Sequence, residues 1–588
     1  MAAPALGLAI AGFLSRQVSP AAAFFSRSSK PRAKRAPAAS PARGATTAWP
    51  LSGWQDSTFL VAILGAALLW IALPPVEAWP LAWIAPVPWI LLVRRERWAG
   101  RRSYLKLWAA GFCFWLAALH WLRLPYWATA FGWLALAGYL GIYLPLFVGL
   151  TRIAVHQLRL SVVLAAPVVW MGLELARAHL LSGFRMAAIS HTQFRWLAVI
   201  QISDLGGDFL VDFLIVLVAA CLGRALPLQG ARRTLWPLAV ACAALLATLV
   251  YGNLRLTVPD NPPRTPLARV VLVQGSIDTQ FNVNCDEEMF RQYFQLSQQA
   301  LKKYSSVDLL VWPESMYPHP RISYDPDARV PAGWSQSQDE FRRRLEELAP
   351  TSPQLLADTV RALDVPMIVG LESQHFAADG MHRSNSAMYV DRSGVCQGRY
   401  NQMHLVLFGE YTPLVNTLPL IGWITPLASN CEPGDQPTLF RLGNMAIAPN
   451  ICYETVLSHV IRRQVNTLAQ QTAMPDVLVN LTNDGWFWGS SELDMHLVCG
   501  VFRAIECRRP LLIAANTGFS ATIDGDGRIV QRAARRKPDL ILAEVLPDTR
   551  RSPYLRYGDL PAGACLAACL TLLIVGLFRV ARPMRANS

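Results

Sequence analysis

Long apolar runs and short basic breaks alternate over the first part of the chain. The runs lie at about 57–73, 79–93, 105–122, 128–151, 161–181, 208–227 and 234–251, and an eighth stands alone at about 560–578. Several are long enough to cross a hydrocarbon core of ~30 Å as helices. The first two are short or interrupted by proline. The breaks carry the charge. Arg94, Arg95, Arg97, Arg101, Arg102 and Lys106 separate the second and third runs, Arg152 and Arg159 the fourth and fifth, and Arg224, Arg232 and Arg233 the sixth and seventh. Arg579, Arg582 and Arg585 follow the eighth. Basic segments stay on the cytoplasmic side of a membrane. These alternate breaks therefore predict seven crossings from an inside start, a large outer segment, and an eighth crossing that returns the C-terminus inside.

Between the seventh and eighth runs the pattern changes. Short β-rich runs at 270–273, 309–312, 367–369, 387–390, 446–448, 477–481, 511–514 and 521–523 alternate with helical stretches. This alternation predicts an α/β fold of two sheets with helices outside. The expected organisation is a basic tail over 1–50, a seven-helix transmembrane domain over 55–255, an α/β domain over 266–547, and a transmembrane helix over 558–580.

Composition agrees with a membrane protein. The 588-residue chain is 53% hydrophobic and only 16% charged, with mean hydropathy +0.27, which is too apolar for a soluble enzyme. Its net charge of +14 sits between apolar runs, which suits lipid headgroups and topology, and no nucleic-acid-binding signature occurs. The 11 cysteines are scattered without a CxxC pair or Cys/His cluster, so neither zinc nor a disulfide framework is indicated. No cofactor or metal is expected. Residues 1–50 have the acid-free, Arg-rich composition of a transit peptide, but Pro and Ser crowd 19–44 and favour a disordered cytoplasmic tail.

Candidate chemistry centres on Asn450-Ile451-Cys452-Tyr453-Glu454-Thr455. The apolar 445–448 predicts a buried strand, Pro449-Asn450 a sharp turn, and the residues after Cys452 a helix start. A cysteine at such an elbow gains thiolate character from helix-terminal N–H groups. The bland alternative is a small core cysteine. Leu309 to Val311 leads through Trp312-Pro313 to Glu314, a carboxylate at a strand end where burial raises its pKa toward that of a general base. A surface strand-end glutamate is the alternative there. A polar loop running from Arg399 through Gln402 and His404 carries a second carboxylate, Glu410. Asn480-Leu481-Thr482-Asn483-Asp484-Gly485-Trp486-Phe487 reads as a strand end and turn, and 503–510 as a helix leading into the next strand.

With these motifs in order, the chain resembles the nitrilase superfamily, and within it the bacterial apolipoprotein N-acyltransferases. The carriers are WPES, the YN..HLV.FGEY.P loop, ICYE, the TNDGWF turn and the RA.E..RP helix, inside a frame of seven spans, an enzyme domain and one span. The resemblance covers roughly 55–580. It implies a multi-span α-helical membrane domain plus an α/β nitrilase-like (αββα sandwich) domain, and a Glu-Lys-Cys triad. Glu314 takes the place of the proton acceptor, Cys452 of the nucleophile and Glu410 of the supporting glutamate. Tyr453 and Glu454 flank the cysteine and, with Trp486, are expected to bind substrate. The family's lysine falls at Gln402, whose amide carries donors but no charge. Arg399 is the nearby basic residue that could replace it.

The implied reaction moves a fatty acyl chain from a phospholipid to the N-terminal amine of the diacylglyceryl cysteine of apolipoproteins, through a Cys452 thioester. The implied partners are phospholipid donors, diacylglyceryl-modified apolipoproteins and membrane lipids, with no nucleic acid and a monomeric chain. The implied place is the bacterial inner membrane, with the catalytic domain on the periplasmic side. Two alternatives stay open: a membrane-bound nitrilase-type amidase, and a lipid- or lipoprotein-binding relative impaired by Gln402. The apolar stretches 486–488 and 414–424 read equally as bilayer-dipping or as core.

Overall fold

The computed structural model of the chain describes residues 57–98, 102–227, 234–256, 265–279, 285–331, 333–412 and 431–581. The expected tail over 1–50 and the apolar stretch 414–424 lie outside the described residues.

Every apolar run forms helix. In order these are α1 (Thr58–Ala72), a short turn Trp79–Trp83 with α2 (Val87–Arg94), α3 (Ser103–Ala118), α4 (Thr129–Gly141) continuing into α5 (Tyr143–Arg152), α6 (Val162–His179), α7 (Asp208–Ala225) and α8 (Trp236–Leu256). Among the described residues, four stretches are long and apolar enough to cross a membrane: Thr129–Gln157, Val162–Ser182, Trp236–Leu256 and Leu560–Phe578. A fifth exists if Leu197–Gly206 and Asp208–Ala225 form one span, bent by 119°. Gly207 makes that bend, with a φ of 71° that a side chain would resist. The 15 residues of α1 rise only about 22 Å, and prolines break the second run, so length alone gives fewer crossings than the seven expected from the runs. On α8 and the C-terminal helix, large apolar side chains face outward: Leu254 is 66% exposed and Phe578 70%. Such surface is stable only when another apolar phase covers it.

The second half is a two-sheet sandwich. Its elements run β1 (Ala268–Gln274), α9 (Asp286–Lys303), β2 (Leu309–Val311), β3 (Arg321–Tyr324), α10 (Gln338–Leu363), β4 (Met367–Ala377), β5 (Gly380–Val390) and β6 (Cys396–Asn401). They continue through β7 (Phe440–Leu442), β8 (Met445–Ile451), α11 (Ser458–Gln471), β9 (Val477–Thr482), α12 (Glu492–Cys507) and β10 (Leu511–Ala515). Last come β11 (Ala521–Ile523), β12 (Ile529–Arg532), β13 (Asp539–Val545) and the apolar α13 (Leu560–Ala581). One sheet has the order β13-β1-β2-β4-β5-β6 with β3 on β4, and the other β12-β11-β10-β9-β8-β7. All eight β-rich runs of the sequence fall on these strands, with Trp312 standing one residue past β2.

Burial explains the pattern. The inner faces meet through Val270, Leu272, Val311 and Ile368 from one sheet and Ile447, Ile451, Val479 and Leu512 from the other. The outer face of the first sheet packs on α9 and α10. Central strands are covered on both sides, so they read as continuous apolar runs. The second sheet's outer face packs on α11 and α12, and that layer shares one continuous core with the apolar helices of the first half. Polar pairs add to this joint. Arg508, just after α12, donates to Asp204 (2.9 Å) and Gln201 (2.6 Å), and the Asp208 N–H donates to Glu506 (2.9 Å). The 503–510 motif is thus a docking element as well as a helix end.

Candidate active site

The elbow forms two residues later than the sequence suggests. β8 runs straight through Pro449 and Asn450, because it pairs in parallel with β9 at Asn450↔Asn480 and Ile451↔Leu481. The reversal falls on Cys452, a non-glycine residue at φ 48°. Strain of this kind persists where the surroundings over-determine it, and it clusters at functional sites. Cys452 opens a five-residue 3-10 turn, Cys452–Val456, before α11. It therefore does not sit on the end of a long helix, and the expected thiolate stabilisation is not realised. Burial, then the charges of Glu314, Asp484 and Glu410, push its thiol well above the ordinary value.

A base stands ready for that thiol. Glu314 follows β2 and is buried, with Asn385 Nδ2 donating to Oε1 (2.6 Å) and the Asn483 N–H to Oε2 (2.9 Å). Burial and the nearby Glu410 charge raise it to about 7, while the hydrogen bonds from Asn385 and Asn483 hold it from rising further. A carboxylate near neutrality beside a protonated thiol is arranged for proton transfer.

Gln402 is wholly buried and fully engaged. Its Nε2 donates to Glu410 Oε2 (2.9 Å) and to the His404 carbonyl (3.0 Å), and its Oε1 accepts from Asn385 (3.0 Å). An amide has two N–H bonds. Both are committed inside the loop, so Gln402 holds Glu410 and Asn385 in place and has no donor left for an oxyanion. Glu410 also accepts from the Val406 N–H (2.7 Å), and burial raises its pKa. Arg399 does not fill the gap. It lies on the exposed face of β6, while its neighbour Tyr400 points into the core.

The three expected substrate-binding residues separate. Glu454 is completely buried, and it accepts from the Tyr400 hydroxyl (2.8 Å to each oxygen) and the N–H groups of Met403 (2.8 Å), His404 (3.1 Å) and Ile451 (2.7 Å). With its acceptor sites so occupied, it clamps loop to elbow. The Tyr453 hydroxyl donates to the Gly183 carbonyl (2.9 Å), which ties the elbow to the end of the span ending at Ser182. Trp486 is half-buried in the turn after β9, where the next residue, Phe487, packs edge-on against Trp121 (4.9 Å).

A further group escaped the sequence reading. His496 on α12 pairs with Asp484 Oδ1 through Nδ1 (3.1 Å), and its Nε2 lies 3.1 Å from the Cys452 carbonyl and 2.9 Å from the Thr455 hydroxyl. Thr482 donates to the same Asp484 oxygen (2.9 Å). Burial works against an imidazolium here, but Asp484 and the other partners outweigh it and raise the pKa of His496. The signal available was the pair Asp484 and His496 flanking a buried helix face. Asp484, Glu492 and His496 bring ligand atoms within 4.8 Å of one another, the spacing a metal ion needs.

Two family descriptions match this chain. The apolipoprotein N-acyltransferase N-terminal domain matches residues 65–221 and the carbon-nitrogen hydrolase domain residues 269–553. An apolipoprotein N-acyltransferase from Rhodopirellula baltica is 32% identical, over 86% of this chain and 94% of its own length. The chain belongs to the apolipoprotein N-acyltransferase family. A second family member, from Geobacter metallireducens, is also 32% identical, over 89% of this chain and 95% of its own. Among solved structures, an amidase from Nesterenkonia sp. aligns with 50% of this chain and 97% of its own, at 16% identity and a TM-score of 0.34. As an apolipoprotein N-acyltransferase family member, the chain joins an apolar helical region to a carbon-nitrogen hydrolase domain.

Proposed function

We propose that this chain transfers a fatty acyl group from a phospholipid to the N-terminal amine of the S-diacylglyceryl cysteine of apolipoproteins. One observation supports the reading most: a buried Glu314, raised to about 7, lies close enough to Cys452 at the strained elbow for its charge to raise the thiol.

Glu314 takes the thiol proton as Cys452 Sγ attacks an ester carbonyl of the phospholipid. The carbonyl–oxygen bond to glycerol then breaks, and Glu314 returns the proton to the leaving alkoxide, which departs as a lysophospholipid. The acyl group remains as a thioester on Cys452. The lipoprotein amine attacks that thioester, Glu314 accepts the amine proton, and the carbon–sulfur bond breaks. Protonation of the thiolate by Glu314 closes the cycle. With Gln402 committed elsewhere, backbone N–H groups at the elbow, such as that following the nucleophile, carry the oxyanion. Glu410 and Asn385 position Glu314.

Both substrates are lipids, which fits an enzyme domain set on apolar helices. In this reading seven spans precede the domain and one follows it, in the bacterial inner membrane, with the sandwich on the periplasmic side. The test is intact-mass analysis of a lipoprotein from cells depleted of their own N-acyltransferase and expressing this chain. One added acyl group on the N-terminal amine, lost in Cys452→Ala, is expected. An unmodified amine, or acylation that survives Cys452→Ala, sinks the reading. The unmodified outcome is the one required by a binding relative without turnover, which the committed donors of Gln402 favour.

A further inference from the structure

Three metal-ligating side chains meet beside the nucleophile elbow, and the proposed acyl transfer uses none of them. Asp484 opens the short turn after β9, while Glu492 and His496 stand four residues apart on one face of α12. All three are buried, and Glu492 is only 2% exposed although it begins the helix. One ligand atom of each lies within 4.8 Å of those of the other two.

Two observations show that the cluster lacks a positive partner. The first is Glu492 Oε2, which is buried without a hydrogen-bond partner. Burying a bare carboxylate oxygen is costly unless a proton or a cation meets it. Arg535, the cation that reaches the start of this helix, is committed to Asp494 and to the Gly489 and Ser490 carbonyls. The second is the setting of His496. Its Nε2 faces the Cys452 carbonyl at 3.1 Å, and a carbonyl only accepts, so Nε2 carries the ring proton. Nδ1 is then the lone-pair nitrogen of the neutral ring, and it faces Asp484 Oδ1 at 3.1 Å. Two acceptors so close repel each other unless something positive lies between them. A proton on Nδ1 would satisfy His496 and Asp484 but would leave Glu492 unmet. A divalent cation answers all three, and two carboxylates balance its charge.

The ligand set says which cation. One imidazole nitrogen with carboxylate oxygens suits a first-row divalent ion such as Zn²⁺. Ligand atoms about 2.1 Å from one ion stand about 3–4 Å apart, which the His496 and Asp484 atoms already do. The Glu492 carboxylate, whose Oε2 no hydrogen bond holds, turns to close the rest. A ligating histidine ordinarily donates its other ring N–H to a carbonyl or carboxylate, as His496 does to Cys452. We propose that Asp484, Glu492 and His496 bind a first-row divalent cation, which fixes α12 to the turn after β9 and, through the His496 Nε2–H, to the backbone of the nucleophile. Its role is structural: no bond-making step of the proposed function passes through the ion, and the site stands whatever the acyl acceptor is.

The experiment uses the full chain in detergent, freed of metal with a chelator and titrated with Zn²⁺. Bound metal is counted by elemental mass spectrometry, and melting is followed in parallel. One ion per chain is expected, with the melting temperature raised by several degrees at saturating Zn²⁺. Glu492→Gln should weaken binding at least about tenfold and lose the shift. Because Glu492 Oε2 has no partner to lose, this variant should melt like the wild type when both are metal-free. The competing surface site is the pair His375 and His382, whose rings stand 6.3 Å apart with Asp325, Asp379 and Glu432 on their nitrogens. His382→Gln should leave the binding and the shift unchanged. Melting of the wild type unmoved by Zn²⁺, binding that survives Glu492→Gln, or binding that vanishes with His382→Gln overturns the site and leaves an adventitious ion only. Where Glu492→Gln fails to fold, X-ray absorption at the zinc edge of the wild type decides. One imidazole among oxygen ligands supports the site; two imidazoles or a sulfur ligand overturns it.

Discussion

Gln402 donates its side-chain amide to the Glu410 carboxylate across 2.9 Å, from a wholly buried position. This contact changes what the residue should do. Gln402→Ala leaves Glu410, Asn385 and the His404 carbonyl each short of a partner. Single-turnover thioester formation should fall about 10- to 100-fold, since each buried unpaired group costs about 1–3 kcal/mol. Gln402→Lys would pair with Glu410 and remove the charge that helps raise Glu314 and Cys452. Its rate profile should move to lower pH, with a neutral-pH rate equal to or above the wild type. An alanine variant that matches the wild type would make Gln402 a bystander.

Glu314 links pH to both activity and stability. Its folded pKa, about 7, lies above the ordinary 4.5. The neutral acid is therefore favoured in the folded state, and folding stability is fully present below pH 4.5 and lost as pH rises toward 7. The loss is at most about 3 kcal/mol by linkage. Glu314→Gln should then melt higher than the wild type at pH 8 and equally at pH 4, while forming no thioester. In the wild type, thioester formation should rise with pH through about 7, as Glu314 becomes a base. A variant that melts lower at pH 8 would mean that the amide cannot satisfy Asn385 and the Asn483 N–H.

His496→Ala should be among the most damaging single changes in the domain. It leaves Asp484 buried without its imidazole partner and frees the Cys452 carbonyl. Breaking a buried charged pair costs about 3–5 kcal/mol. His496→Gln keeps one donor and should lose less. Melting temperature and the rate of Cys452 alkylation report the two effects separately. If both variants alkylate and melt like the wild type, the pair does not support the elbow.

Most of the sandwich was legible because its central strands are apolar on both faces. β3, β6, β7 and β12 were not, since polar residues such as Arg321, Gln397, Arg441 and Gln531 interrupt any run, and β13 with its apolar 540–543 was passed over. β6 and β12 are edges and β3 hangs off β4, so one side of each need not be apolar. Glu314 and Cys452 were legible because each sits where an apolar strand ends. His496 was not, because it reaches Cys452 from a helix 44 residues on. The inward turn of Glu454 was not legible for a related reason: adjacency to the nucleophile says nothing about which way a carboxylate turns. Asn385 was invisible, a polar residue mid-strand whose partners come from two other segments.

The joint between the two halves of the chain rests on Arg508 and Asp204. The guanidinium is completely buried and donates from Nε at 2.9 Å, while Arg255 reaches the same carboxylate oxygen at 2.8 Å. Asp204 stands just before the Gly207 bend, so the pair anchors the bent helices to the end of α12. Arg508→Ala leaves Asp204 with Arg255 and the Tyr251 hydroxyl, and deprives Gln201 and Asp526 of a donor. The expected loss is about 3–5 kcal/mol, because an uncompensated buried charge remains. Asp204→Asn should cost less, and the double variant less than the sum, because the residues contact each other. Limited proteolysis and thermal melting of the detergent-solubilised chain read the effect. Faster cleavage and a lower melting temperature, with thioester chemistry retained at low temperature, are the expected result. A double variant whose losses simply add would show that the two groups act independently and that the joint lies elsewhere.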